Sequence, residues 1–242
     1  MNDLETYVAQ NAGRIVTKMS NYFEIYERHF ARFRGTDVHV VEVGVRHGGS
    51  LRLWKHYFGP SANIVGVDIN PHCKALEEER VAVFIGDQAD RTFLRELAAR
   101  LPRIDILIDD GGHMMAQQIH TFEELFPYIT PNGIYLCEDL HTSYMPWAGG
   151  WYRRRGTFVE YSKTLIDQLN AWHVDSQSQP RVNDFTRSAH SLHYYDSVLV
   201  IEKRPMSEPW VVGTGTLEIP DFQSPRTLRS RAKAWMQRHH VR

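Results

Sequence analysis

Residues 38–50 read Val-His-Val-Val-Glu-Val-Gly-Val-Arg-His-Gly-Gly-Ser, and they carry the strongest indication of the fold class. The first part, residues 38–45, is a β-branched apolar run, which is typical of a strand covered on both faces. The glycines that follow allow a tight turn and a close approach of the backbone to a ligand. Ser50 stands where it can cap the next helix, whose amino end favours negative charge. A strand, a glycine-rich turn and a helix in this order predict an α/β protein.

Short apolar runs recur along the chain, with room for a helix between them. We predict parallel strands at residues 38–45, 64–69, 81–85, 104–108 and 134–137, and crossover helices at residues 50–58, 91–100 and 115–126. After a helix at 157–172, runs at 192–195 and 198–202 flank Asp196-Ser197 and predict an antiparallel hairpin. The predicted fold is therefore α/β and Rossmann-like, with a mostly parallel seven-stranded sheet, a C-terminal antiparallel hairpin and helices on both faces.

The predicted sheet domain covers residues 38–205, and the segments on either side differ from it. Residues 1–37 are predicted to form an N-terminal helical lid that packs on the sheet, and some of its aromatic side chains could instead touch a substrate. These aromatic residues recur at helical spacing: Tyr22, Phe23, Tyr26, Phe30 and Phe33. Residues 206–242 form a C-terminal extension with a basic, weakly amphipathic helix at 228–242, which we interpret as solvated rather than membrane-bound.

The composition of the chain is that of a globular protein with a buried core. Of its 242 residues, 42% are hydrophobic and 24% charged, and the net charge of −1 gives no general attraction to nucleic acid. No apolar run approaches the roughly 20 residues of a membrane span, and the first residues lack a signal-peptide pattern. With only Cys73 and Cys137, no disulfide framework or Cys-x-x-Cys metal site is possible. We expect a cytoplasmic protein.

Acidic residues at the strand ends indicate a nucleoside site. Asp68 ends the second predicted strand, where it can accept hydrogen bonds from both ribose hydroxyls, and Asp87 follows the third, where it can accept from an adenine amine. The turn after the first strand is not of the G-x-G-x-x-G form, and the chain has no phosphate loop, which disfavours NAD and ATP. Glu42 would suit the positive charge of S-adenosylmethionine. The predicted cofactor residues are Glu42, Gly44, Ser50, Asp68, Asp87, Gln88 and Asp109.

A second acidic set follows the fourth and fifth predicted strands. Asp110, Glu138 and Asp139 form an oxygen-rich cluster of the kind that binds Mg²⁺ or another hard divalent cation. His113 lies close enough in sequence to act as a general base on a hydroxyl held by such a cation. The acids could instead be capping groups, and His120 and His141 are alternative bases or ligands.

Several stretches together resemble the metal-dependent, S-adenosylmethionine-dependent sugar O-methyltransferases of the mycinamicin, macrolide and rhamnosyl type. The stretches are Tyr26-Glu-Arg-His-Phe30, residues 48–58, Gly66-Val-Asp68, Gly86-Asp-Gln88, Ile108-Asp-Asp-Gly-Gly-His113, Leu125-Phe-Pro127, Glu138-Asp139, Thr142-Ser-Tyr144 and Ser191-Leu-His-Tyr-Tyr-Asp196. The resemblance covers about residues 22–203 and implies a class I methyltransferase fold.

The resemblance also implies roles for individual residues. It implies magnesium binding by Asp110, Glu138 and Asp139, and His113 as the base. It maps the family's cofactor acids to Glu42, Asp68 and Asp87. This chain has Gly112 where the family typically has Ser, and its 37 residues before the first strand leave no room for the large amino-terminal domain of the macrolide enzymes.

An aromatic loop at 144–152 fits a sugar acceptor, since flat rings stack on sugar faces. We predict that Tyr144, Trp147 and Trp151 contact the substrate, although an ordinary packed loop is the alternative. The leading hypothesis is an O-methyltransferase acting on a sugar hydroxyl of a glycosylated natural product or glycan. The alternatives are a catechol or other small vicinal-diol O-methyltransferase and a non-catalytic adenosine-binding module. The expected partners are a small-molecule or glycan acceptor and a second copy of the chain, with no nucleic acid.

Overall fold

A computed structural model describes residues 1–174, 178–216 and 218–219, and one sheet runs through its centre. The strands are β1 (His39–Val43), β2 (Asn63–Asp68), β3 (Val81–Ile85), β4 (Ile104–Asp109), β5 (Ile129–Cys137), β6 (Ala189–Tyr195) and β7 (Val198–Lys203). Their spatial order is β3-β2-β1-β4-β5-β7-β6. The first five pair in parallel, and β7 is antiparallel to both β5 and β6. The predicted fold class is confirmed.

Helices cover the sheet on both faces. They are α1 (Asp3–Gln10), α2 (Tyr22–Phe30), α3 (Gly49–Phe58), α4 (Arg91–Arg100), α5 (Met115–Leu125), α6 (Phe158–Leu169) and α7 (Asp184–Ser188). Two groups of buried apolar side chains fill the two sides of the sheet. Among the described residues, no helix is long and apolar enough to cross a membrane.

The observed bounds differ from the sequence-based ones mainly at β5 and at the helix after the aromatic loop. Strand β5 begins at Ile129, five residues before the predicted start at 134, and its register against β4 shifts between these two positions. Helix α6 ends at Leu169 instead of at the predicted residue 172. A separate 3₁₀ turn, Ala171–His173, follows it. The predicted hairpin of the last two strands is present, with Asp196 and Ser197 between them.

The chain divides after Glu208, and residues 1–208 form one compact unit. The described residues after Glu208, 209–216 and 218–219, contain neither helix nor strand. The basic helix predicted at 228–242 lies outside the described residues. Within the first unit, α1 and α2 contribute buried side chains to the same core as α3 and the sheet, including Leu4, Tyr26 and Phe30.

The strand order places the site. Since β2 and β3 lie on one side of β1, and β4 and β5 on the other, the order reverses between β1 and β4. Ligands of open α/β sheets bind outside the carboxyl ends of the strands at such a reversal. The predicted acids follow these strand ends, so the topology brings them to one edge of the sheet.

Candidate active site

A pocket of about 540 Å³ opens at the carboxyl edge of the sheet, above the reversal between β1 and β4. Its volume lies within the range of small-molecule sites, roughly 300–1,000 Å³. Most of the residues predicted from the sequence line it: Gly44, Ser50, Asp68, Asp87, Gln88, Asp110, His113 and Asp139. Glu42, Asp109 and Glu138 do not line it; they are buried directly behind its wall.

The turn after β1 is shaped by a close approach of two backbone segments. Gly44 has φ +99°, and a Cβ atom there would lie 2.0 Å from the carbonyl oxygen of Asp110. Only glycine fits both this conformation and this spacing. The two segments come from β1 and β4, so Gly44 joins the predicted cofactor turn to the predicted metal site.

Ser50 does not cap the following helix. The residue before α3 is Gly48, in the left-handed conformation and without a side-chain cap. The Ser50 hydroxyl instead donates to Glu42 Oε2 at 2.6 Å. Ser50 therefore fixes a buried carboxylate beneath the pocket, which is a correction to the capping role expected from its position.

Asp68 holds the loops on either side of it. Its Oδ2 accepts from the backbone amides of Val45 and Arg46, each at 2.9 Å, and its Oδ1 accepts from the amide of Asn70 at 2.8 Å. Asp87 is exposed, and its Oδ1 accepts from the amide of Ala89 at 2.7 Å. Both carboxylates line the pocket and are fixed there by backbone amides.

Asp109, assigned to the cofactor from the sequence, supports the pocket from behind. It is buried, and burial raises its pKa to about 7, although hydrogen bonds from Gln88 and Tyr135 oppose the shift. Gln88 Nε2 donates to Asp109 Oδ1 at 2.6 Å, and Gln88 Oε1 accepts from the amide of Gly112 at 3.0 Å. This chain of contacts fixes the turn that carries His113.

His113 faces two of the predicted metal acids. Its Nε2 lies 3.3 Å from Asp139 Oδ2 and 3.9 Å from Asp110 Oδ1. His113 (φ +56°) and Asp139 (φ +55°) both adopt left-handed backbone conformations, which are costly for residues other than glycine and cluster at functional sites. The buried Nδ1 of His113 has no hydrogen-bond partner in the described part of the chain.

A buried lysine completes the acidic site. Lys18 Nζ lies 2.6 Å from Asp110 Oδ2, 2.9 Å from Glu138 Oε1 and 3.4 Å from Glu42 Oε1, and its side chain is 1% exposed. Burial alone would lower the pKa of Lys18, but the charges of Asp110 and Glu138 outweigh it and raise that pKa well above its usual value. Lys18 is therefore a fixed positive charge in the site.

Two tyrosines of α2 contact the same acids. Tyr22 Oη donates to Asp139 Oδ1 at 2.6 Å, and Tyr26 Oη donates to Glu138 Oε1 at 2.7 Å. The sequence placed these residues in an aromatic stripe, and the stripe is buried as expected, except that Phe33 is only partly buried. The sequence analysis missed the role of the hydroxyls and of Lys18. The one available signal was that several buried acids at one edge need a positive partner.

The donor set fits a hard divalent cation. Oxygen atoms of Asp110 and Asp139 and a nitrogen of His113 lie within 4.8 Å of one another. Carboxylate oxygens are the ligands that such cations prefer. Glu138, the third predicted ligand, is adjacent, but its Oε1 is held by Lys18 and Tyr26.

The predicted substrate residues lie on an exposed loop beside a second groove. Tyr144, Trp147 and Trp151 are 51%, 61% and 61% exposed and do not line the main pocket. The groove, of about 420 Å³, runs between the start of α5 and this loop, and Met114, next to His113, is one of its walls. From the loop, Ala148 and Gly149 line this groove, whereas the three predicted aromatic side chains line neither the groove nor the main pocket.

The other two histidines considered as bases have structural partners. His120 Nδ1 lies 2.8 Å from the carbonyl oxygen of Ala89, outside the acidic site. His141 Nδ1 lies 2.5 Å from Ser197 Oγ and 4.0 Å from Asp139 Oδ1. Of the histidines considered, His113 has the geometry of a base beside the acids.

Comparison with known proteins agrees with this architecture. A family model described as a methyltransferase domain matches residues 41–140. The chain is 39% identical over 194 residues to an 8-demethyl-8-alpha-L-rhamnosyl tetracenomycin-C 2'-O-methyltransferase of Streptomyces olivaceus, covering 77% of this chain and 51% of that protein. It is 38% identical over 198 residues to the demethylmacrocin O-methyltransferase of Streptomyces fradiae, covering 78% and 50%. The chain spans about half the length of these relatives.

A solved structure is similar over nearly the whole chain. The MycE methyltransferase of the mycinamycin biosynthetic pathway, in complex with Mg, SAH and mycinamycin VI, superposes with a TM-score of 0.77 at 33% identity, covering 97% of this chain and 59% of that one. The chain therefore belongs to the methyltransferase-domain family, and within it resembles the sugar O-methyltransferases that its sequence motifs indicated.

Proposed function

We propose that this protein transfers the methyl group of S-adenosylmethionine to a sugar hydroxyl of a glycosylated natural product or glycan, with Mg²⁺ in the site. One observation supports this most directly. A single pocket joins the nucleoside-type acids after β2 and β3 to the Asp110, His113 and Asp139 group after β4 and β5. A donor held by the first set would place its methyl group next to an acceptor held by the second.

In the cofactor half of the pocket, backbone and carboxylate groups would recognise the methyl donor. In this proposal Asp68 binds the ribose hydroxyls, and Asp87 binds the adenine amine at the mouth of the pocket. Gly44 lets the backbone approach the donor closely. Glu42 and Asp109 act through Ser50 and Gln88, which they hold in place.

The acceptor half would supply the chemistry. Asp110 and Asp139, with Glu138 beside them, would hold the cation, which orients the acceptor hydroxyl and lowers its pKa. His113 would then take the hydroxyl proton at Nε2. The acceptor oxygen bonds to the methyl carbon as the carbon–sulfur bond breaks, so placement of the two groups supplies much of the rate.

The aromatic loop and the groove beside it would receive the sugar and the group attached to it. The exposed rings of Tyr144, Trp147 and Trp151 are suited to stacking on a sugar or an aglycone. A homodimer and a cytoplasmic location remain part of this proposal, and light scattering and cell fractionation test them.

His113→Ala tests the assignment of the base. We expect methyl transfer to a vicinal-diol glycoside to fall by about 10²–10⁴-fold, the usual contribution of a general base, while binding of S-adenosylhomocysteine stays unchanged. His173→Ala, on an exposed turn, is the matched control. Turnover by His113→Ala at the wild-type rate would remove His113 from the mechanism.

Chelation and the choice of acceptor test the remainder. Calorimetric titration with S-adenosylhomocysteine should show micromolar binding, and methyl transfer should stop in chelator and return with Mg²⁺. A rhamnoside and a catechol assayed side by side distinguish a sugar enzyme from a catechol enzyme. Absence of S-adenosylhomocysteine binding with and without Mg²⁺ would reject the methyltransferase activity.

A further inference from the structure

The segment between α1 and α2 lies over the cofactor pocket. Residues 11–18, here called the N-terminal strap, form neither helix nor strand, and Ile15, Thr17 and Lys18 line the pocket. The strap packs on the start of α3, where a Cβ on Gly49 would lie 2.1 Å from the carbonyl oxygen of Ile15. Arg14 Nη1 anchors it further by donating to the carbonyl of Leu76 at 3.0 Å.

Lys18, at the end of the strap, contacts two of the carboxylates assigned to the proposed cation. Its ammonium lies 2.6 Å from Asp110 Oδ2 and 2.9 Å from Glu138 Oε1. Its side chain is 1% exposed, so water screens this charge little. A divalent cation bound by Asp110 and Glu138 would stand beside a buried positive charge.

We propose that Lys18 sets the cation affinity of this site: its ammonium competes with the divalent cation for Asp110 and Glu138. Because Lys18 belongs to the strap, cation binding is coupled to opening of the strap over the cofactor pocket. The inference rests on the proposed function only for the identity of the cation ligands.

The sign of the effect follows from charge. The carboxylates of Glu42, Asp110 and Glu138 repel one another, and Lys18 relieves part of that repulsion. Without the Lys18 ammonium, the three carboxylates keep their negative charge and lose their positive partner. They then attract a divalent cation more strongly, and that cation no longer has a positive charge beside it. If Lys18 only supported the fold of the site, its removal would instead weaken cation binding.

Lys18→Met is the direct test, with Mg²⁺ titrated calorimetrically in the absence of cofactor and acceptor. We expect the Mg²⁺ affinity of Lys18→Met to be at least about tenfold higher than that of wild type. Lys18→Arg keeps the charge and should bind Mg²⁺ like wild type. Arg100→Met removes a positive charge from an exposed pair with Glu96 and should leave Mg²⁺ affinity unchanged.

A second variant displaces the strap and keeps Lys18 and all the acids. Gly49→Ala forces the backbone of Ile15 away, so Mg²⁺ affinity should rise here too. Tryptic cleavage after Arg14, followed by mass spectrometry, reports strap opening without any activity measurement. We expect Mg²⁺ to accelerate this cleavage several-fold in wild type, and cleavage in Lys18→Met to be fast with or without Mg²⁺.

The outcomes separate this inference from the proposed function. Equal or weaker Mg²⁺ binding by folded Lys18→Met, or no Mg²⁺ binding by that variant, overturns the role of Lys18. Should Lys18→Met fail to fold, unchanged or weakened Mg²⁺ binding by Gly49→Ala overturns it equally. Absence of S-adenosylhomocysteine binding by wild type would reject the methyltransferase proposal. The comparison of Mg²⁺ affinities between wild type and Lys18→Met would still be valid.

Discussion

Gly44 lies where the two halves of the site meet, and its lack of a side chain has a measurable consequence. In Gly44→Ala, the new Cβ would meet the backbone of Asp110 and Gly111, which cannot rotate away as a side chain can. We expect Gly44→Ala to lose more than about 4 kcal/mol of stability, since overpacking and a left-handed φ add together. Urea unfolding and S-adenosylhomocysteine titration measure the loss.

Gly35→Ala is the control for backbone conformation alone. Gly35 also has a left-handed φ, +72°, but no atom lies within 4 Å of a Cβ built there. Alanine at this position should cost only about 1–2 kcal/mol. Equal losses in the two variants would show that crowding against β4 is not what requires glycine at position 44.

Single residues also show how far the sequence could predict the site. Asp68, Asp87, Asp110 and His113 could be placed because each follows a strand end, and parallel strands end at one edge. The direction of a side chain cannot be predicted in this way. Glu42 was predicted to contact the cofactor, but its side chain is buried behind the pocket. Lys18 could not be found, because an irregular segment can pass over a sheet by many routes.

At the scale of elements, strand β7 carries a buried lysine that links it to the entry of β5. Lys203 Nζ donates to the carbonyl oxygens of Phe126 and Ile129 at 3.0 and 2.7 Å. Burial lowers the pKa of Lys203 to about 8. The folded protein thus loses this proton near pH 8, and the unfolded chain holds it until about pH 10.4.

This difference fixes the sign of a pH effect. Between those two pH values the unfolded state binds more protons, so the contribution of Lys203 to stability rises with pH. We expect wild type to gain roughly 1–2 kcal/mol over Lys203→Met between pH 7.5 and 10.5, after discounting the shift for residual solvent. Urea unfolding of both proteins at each pH measures the difference. A constant difference across this range would show that Lys203 keeps its proton.

Element types were easier to predict from sequence than element ends. The β-branched runs and the helical intervals indicated a mostly parallel sheet with helices on both faces, because hydrophobic periodicity reports burial. The start of β5 was misread, since Pro131, Asn132 and Gly133 favour a turn and yet extend an irregular strand. Ile129 and Ile134 both pair with β4, and residues 130–133 bulge out between them, with Asn132 at φ +71°. The turn-forming residues therefore form a bulge inside the strand instead of a turn before it.

At the scale of the whole molecule, the N-terminal residues are part of the core. The sequence suggested a lid over residues 1–37, and the aromatic stripe indeed faces inward. Tyr26 packs on Trp54 and Phe30 packs on Phe58 of α3, and Leu4 belongs to the same core. A removable lid would bury far less apolar side-chain surface than residues 1–37 do. These residues therefore have two roles: they pack in the core, and they place Lys18 at the acidic site.

Truncation at each end tests this organisation. Residues 1–37 bury Leu4, Tyr22, Ile25, Tyr26 and Phe30. At about 1.5–3 kcal/mol for each buried side chain, their loss equals the whole stability of an ordinary domain, about 5–15 kcal/mol. We therefore expect a chain of residues 38–242 to show no cooperative unfolding transition.

A chain that ends at Glu208 should behave in the opposite way, because residues 1–208 are one compact unit. It keeps the described pocket, the strap and every acid of the site, so it should unfold cooperatively and bind S-adenosylhomocysteine with the affinity of the full chain. Urea unfolding and calorimetry on both truncations give the comparison. Cooperative folding of residues 38–242 would show that α1 and α2 are a dispensable cover, and then Lys18 would reach the acids from outside the folded core.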